Sequence, residues 1–187
     1  ESIEEAVLDM LHKWDMFGWL FRDLFRHVPA AFIPDDHDVY HGNVWGEGGK
    51  LAPTDKGWGA VAQDQGGYKM PAEWVDAVQM AQTSPLPDPF DPTPVQRGIG
   101  VYYTSLNWGR ISMAVLEDRK FKSGPKGKIP QMGPRPDHIN DPSYDRRSID
   151  VKGLTLLGDR QLSFLHEWGQ DWEGARMKCV LSQTAFC

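Results

Sequence analysis

Ile99-Gly100-Val101-Tyr102-Tyr103-Thr104-Ser105-Leu106-Asn107-Trp108-Gly109-Arg110-Ile111-Ser112-Met113-Ala114-Val115-Leu116 is the stretch on which the fold turns. Its two halves, 99–106 and 111–116, are rich in β-branched and aromatic residues, which fit a pleated, half-buried surface. Between them Asn107-Trp108-Gly109 supplies the Asn and Gly of a tight turn, so the stretch reads as an antiparallel hairpin. Tyr102 and Tyr103 alternate across the first strand, so at most one of them faces any given site. Past the second strand comes Glu117-Asp118-Arg119, polar residues at the end of a buried run.

Helical signals lie on both sides of this hairpin. Ser2 and Glu5 have the spacing of a capping box, and Ile3, Val7, Leu11, Trp14, Phe17, Phe21, Leu24 and Val28 recur at three- and four-residue steps. Such a stripe is expected to face a core. Gly18 is a candidate break in this helix, Pro29 ends it, and 30–33 follows as a short buried strand. Residues 42–67 are rich in Gly, Trp, Asp and Lys and lack periodicity, which indicates a long irregular loop. A helix over 71–82 has Pro71 in its first turn and Trp74, Val78 and Ala81 on one side. The proline-rich 85–94 is an extended connector, and 120–147 is a second long loop. Gly158-Asp159 opens a helix with Leu162, Leu165 and Trp168 inward, and 177–181 is a last strand. The sum is an α/β chain with mixed strand directions.

Composition excludes several classes. The 187 residues suffice for one domain with its own core, and 40% hydrophobic with 25% charged residues is ordinary for a globular protein. A formal net charge of −6 argues against a nucleic-acid-binding surface. No apolar run reaches the roughly 20 residues that span a bilayer. Cys179 and Cys187 could pair or stay free, and no signal peptide stands at the head of the sequence.

The densest chemistry is Ile33-Pro34-Asp35-Asp36-His37-Asp38, followed by His41 and Asn43. Three carboxylates around an imidazole repel one another unless a cation sits among them. A hard metal ion would serve, since carboxylate oxygens suit calcium, magnesium, manganese or iron. An acidic turn capping a helix would also account for the letters. Asp36 is the principal candidate ligand, with Asp35 beside it. His41 could ligate metal, touch a substrate phosphate, or be merely solvated. Arg119 could grip a phosphate bidentately or pair with Asp118 or Glu117.

Taken in order, these pieces resemble the alkaline phosphatase D family of calcineurin-like metallophosphatases. The matching residues are Ile33-Pro34-Asp35-Asp36-His37-Asp38 with Asn43, Tyr102-Tyr103 before Trp108-Gly109, Leu116-Glu117-Asp118-Arg119-Lys120, Leu156-Leu157-Gly158-Asp159-Arg160-Gln161 with Phe164-Leu165, and Val180-Leu181-Ser182-Gln183-Thr184. The resemblance implies a β-sandwich flanked by helices with a dinuclear site at the strand ends, holding calcium and iron or manganese. It implies Asp36 in the metal-ligand position and His37 in the catalytic one, flanked by Asp35 as a second candidate ligand and Asp38 as a second candidate catalytic residue; Asn43, His41 and Arg119 are the candidates to contact the substrate, a phosphate mono- or diester. Export to the periplasm or cell exterior is implied as well. The family's Gly-Asp-x-x-Tyr and later His-containing metal motifs do not occur in this sequence. Residues 1–187 therefore read as a segment of a larger metallophosphatase domain, inactive on its own.

A different class also fits. Eight tryptophans, several in glycine-rich loops, could form a stacking surface for sugars or peptides, making the chain a binding module whose acidic turn holds structural calcium.

Overall fold

The computed structural model describes residues 2–136 and 138–184. Its helices are α1 (Ile3–Leu20), α2 (Arg22–Phe25), α3 (Ala60–Gln63), α4 (Ala72–Thr83), α5 (Asp118–Phe121) and α6 (Gly158–Gln170), and its strands are β1 (Thr104–Trp108), β2 (Ile111–Val115) and β3 (Met177–Leu181). β1 and β2 pair antiparallel, β2 and β3 parallel, giving one open sheet in the order β1-β2-β3. The α/β class and the mixed strand directions are those expected. Among the described residues no helix is long and apolar enough to cross a membrane.

The hairpin forms, with its turn displaced. Trp108 pairs with Ile111, so the tip is Gly109-Arg110, and Gly109 takes a left-handed φ of 60° that a side chain would oppose. Residues 99–103 lie outside the ladder yet are deeply packed, because their backbone is held by side chains instead. Gly100 N–H donates to Asp76 Oδ1 at 2.8 Å and Tyr102 N–H to Glu117 Oε2 at 2.9 Å. The 85–94 connector runs alongside, with Phe90 N–H on Tyr103 O and the Thr104 hydroxyl on Asp88 O.

Two apolar cores flank this segment. In the first, Trp74, Val75 and Val78 of α4 meet Val39, Val44, Tyr68 and Ile99. In the second, Phe164 of α6 meets Val101, Tyr103, Ala114, Leu116 and Leu157. Val95 touches both. Tyr102 and Tyr103 do face apart, Tyr103 into the second core.

Four expectations are corrected. The capping box on α1 is present, but no residue of α1 is buried, and Ile3, Leu11, Phe21, Leu24 and Val28 of the stripe are exposed. Only Ala6, Val7 and Met10 reach the first core. The middle of the stripe packs on itself: Trp14, Phe17, Phe21 and Phe25 cluster, with Phe32 edge-on to three of these rings. The break in the helix falls at Phe21, the residue between α1 and α2, not at Gly18. Residues 30–33 form no strand. Pro29 and Pro34 bracket them and offer no N–H to a ladder, while Phe32 is drawn into the aromatic cluster. In α6 Leu162 is exposed, and Gln161 and Phe164 take the inward positions.

The reason for a buried glutamine lies at the junction below the sheet. Glu117 (1% exposed) and Lys120 (3%) form an ion pair at 2.5 Å. The ammonium also donates to Gln79 Oε1 of α4 and to Gly100 O. Gln161 accepts from Glu117 N–H at 2.8 Å and donates to Glu117 O at 3.2 Å and Leu157 O at 2.8 Å, so both backbone polar groups of Glu117 are satisfied. Burial pushes the Glu117 carboxyl up, and the Lys120 charge opposes it. Breaking a buried pair by removing one partner typically costs about 3–5 kcal/mol, because the survivor stays charged and dry. Lys120→Met and Glu117→Gln should each lower the unfolding free energy by about that amount in urea titrations followed by tryptophan fluorescence. The double variant should lose less than either single one.

Candidate functional site

Asp36 and Arg119 meet across the boundary between the acidic turn and α5. Arg119 Nη1 lies 2.9 Å from Asp36 Oδ1, and Nη2 lies 3.9 Å from Asp35 Oδ1. Arg119 pairs with neither Glu117 nor Asp118, whose carboxylates are engaged elsewhere. Its Nε is buried without a hydrogen-bond partner. The cation among the acidic residues is thus a guanidinium.

The turn is short and locally fixed. Residues His37–Val39 form one 3-10 turn, and Tyr40 closes it with a left-handed φ of 57°. Asp38 bends back so that its Oδ2 accepts from Asp35 N–H at 2.8 Å, which makes it a cap for its own turn. His37 lies 3.9 Å from Asp36 Oδ2 and is 78% exposed. Asp36 is buried, Asp35 is not. Burial raises the Asp36 carboxyl, aided by the neighbouring Asp35, while Arg119 opposes the rise. Asp35 moves the other way, held low chiefly by its hydrogen bond with the Asp36 side chain. Of two adjacent carboxyls the more exposed carries the charge more readily.

Asp35, Asp36, Arg119, Lys120, Tyr102 and Gln183 line one crevice. Its cavity of about 30 Å³ has room for about two water-sized groups. The loop at its back is pressed against α5: Gly46 N–H donates to Arg119 O and Gly48 N–H to Lys120 O, both at 2.9 Å. A Cβ on Gly46 would run into the Lys120 backbone, so only glycine permits this approach.

The structure brings together Asp35, Asp36 and Arg119; His37 lies 3.9 Å from Asp36 Oδ2 but, with Asp38, is outside the crevice lining. His41 and Asn43 are outside the crevice lining. His41 is buried rather than solvated, its Nε2 accepting from Lys69 N–H at 3.0 Å. Lys120, Tyr102 and Gln183 were not singled out as site residues from sequence. The signals in the sequence are that Lys120 adjoins Arg119 and that all three stand in runs that carry the family resemblance. As a metal centre the arrangement is incomplete: no group of three or more His, Cys, Asp and Glu side chains able to hold an ion exists among the described residues, and Asp36 Oδ1 is engaged by Arg119. Asp35 and Asp36 by themselves do not make up a metal site.

The tryptophans are dispersed. Trp45 and Trp74 are buried; Trp19, Trp58, Trp108 and Trp172 are exposed, and Lys178 lies over the ring of Trp172. Cys179 is half-buried on β3, and Cys187 falls outside the described residues.

Comparison of the chain with family models, with curated proteins and with solved structures found no match.

His41 makes a measurable prediction. Burial foremost, with the Lys69 charge beside it, lowers its pKa from 6.5 to about 4. The unfolded chain takes up a proton near pH 6.5 that the folded chain refuses until about pH 4. Stability from this group is therefore complete above pH 6.5 and is lost as pH falls towards 4, by roughly 3 kcal/mol in all. His41→Gln keeps an acceptor for Lys69 N–H and does not titrate. Its urea midpoint should vary less than that of the wild type between pH 6.5 and 4.5.

Proposed function

We propose that the crevice receives the phosphoryl group of a phosphate ester and that this chain supplies part of a phosphatase or phosphodiesterase site. The observation that carries the reading is Arg119. It stands at the crevice with one guanidinium nitrogen on Asp36 and its buried Nε unpartnered, so it keeps donor capacity for an oxyanion. Arginine's planar fork matches phosphate oxygens two at a time. The crevice is too small for a whole ester. One phosphoryl oxygen enters it, and the rest of the substrate lies over the mouth beside His37.

The roles follow from position. Arg119 binds the non-bridging oxygens and offsets their charge. His37, exposed at the edge, protonates the leaving oxygen or stabilises developing charge. Asp36 sets the angle of Arg119 and lies close enough to bias the His37 ring. Asp38 holds the turn through Asp35 N–H instead of touching substrate. On the family resemblance, two metal ions would supply Lewis acidity and a nucleophile, with Asp36 and Asp35 among their ligands and further donors required. The three-stranded sheet would then be part of the family's sandwich.

The test is hydrolysis of bis-p-nitrophenyl phosphate and p-nitrophenyl phosphate by these residues in their native flanking sequence, with calcium and iron or manganese added. Turnover should require metal and fall about 100-fold or more in His37→Ala, the usual scale for a lost general acid. Wild-type turnover in that variant would sink the reading. The 187-residue chain alone should be inactive.

A further inference from the structure

The segment following β3 is tied down in a way that neither the sheet nor the ion pair at its base requires. Ser182 donates to Asp118 Oδ1 at 3.0 Å, and Thr184 donates to Asp118 Oδ2. Asp118 is buried at 1% exposure. One carboxylate thus grips the residues on both sides of Gln183. Gln183 itself lines the crevice with Asp36 and Arg119.

We infer that Gln183 is a substrate-positioning residue of the crevice, its amide meeting a phosphoryl oxygen beside Arg119, and that Asp118 acts through it by fixing the backbone on either side. The inference rests on the phosphate-binding reading given above. Its physical basis is pre-organisation. A glutamine on an untethered segment would have to be ordered each time it binds, and that ordering would consume much of one neutral hydrogen bond. Two hydroxyls held by a dry carboxylate remove that freedom beforehand. A neutral donor also suits this place, because the crevice already holds Arg119 and Lys120 against Asp35, Asp36 and Glu117. A charged residue would upset that balance; an amide can donate to an anion without doing so. Asp118 opens α5, whose next two residues are Arg119 and Lys120, so the same short element sets both the guanidinium and the glutamine.

Inorganic phosphate is the probe, titrated into the 187-residue chain and followed by amide chemical shifts. Wild type should bind, and Arg119→Gln should abolish binding. Gln183→Ala should weaken binding about fivefold, the scale of one neutral hydrogen bond, with no change in Tm. Asp118→Ala should weaken it to a similar degree, Asp118→Asn less, since an amide oxygen still accepts one hydroxyl. Combining Asp118→Ala with Gln183→Ala should add nothing to Gln183→Ala alone, which is the mark of action through that residue. If Asp118→Ala does not fold, Gln183→Ala alone decides. Unchanged phosphate affinity in Gln183→Ala, with Arg119 dependence intact, would overturn this inference and leave the phosphate-binding reading standing. A wild-type chain that binds no phosphate would overturn both.

Discussion

The buried pair of Glu117 and Lys120 is the contact through which the rest of the chain is connected. Two charges removed from water are tolerable only if their remaining donors and acceptors are satisfied. Here that requirement recruits Gln79 from α4 and Gly100 and Tyr102 from the segment before β1, while Gln161 from α6 satisfies the backbone of Glu117. α4, α6 and the segment before β1 each meet the junction through a specific polar atom, so the junction ties these three parts of the chain together. The apolar cores on either side fill the space that this scaffold leaves.

Arg119 lies between the two residues of that junction and the acidic turn. Its neighbours in α5, Asp118 and Lys120, are both buried and engaged, whereas Arg119 reaches the crevice with a nitrogen left unpartnered. The acidic turn is satisfied by this guanidinium, a delocalised cation whose hydration is weaker than that of a metal ion or ammonium. A guanidinium that balances two carboxyls and still has an unpartnered nitrogen is suited to exchange part of its contact for an anion. On the proposed reading, the crevice couples charge neutralisation within the protein to recognition of an anion from outside.

Much of the local structure could be read from short-range patterns. The capping box at Ser2 and Glu5, the helix behind Pro71, the hairpin strands and the strand at 177–181 all depend on residues within a few positions of one another. The misplacements have specific causes. Residues 30–33 read as a strand from hydrophobicity, but the flanking prolines and the pull of the Trp14, Phe17 and Phe25 rings on Phe32 decided otherwise. Leu162 looked inward by composition, yet Gln161 holds the buried place because Glu117 needs its backbone groups satisfied. A glutamine in a core cannot be anticipated without knowing which distant backbone groups it serves.

The candidate site divides along the same line. Neighbouring residues alone supply the chemical groups: three carboxylates and an imidazole in one turn, and an arginine among acidic and basic neighbours past a buried strand. Those are properties of adjacent residues. Packing between distant segments makes Arg119 pair with Asp36 instead of Glu117 or Asp118, buries His41 and brings Gln183 to the crevice. Each of these depends on which distant segment competes best for a charge or a hydrogen bond once water is excluded, and that competition is settled by packing across the whole chain.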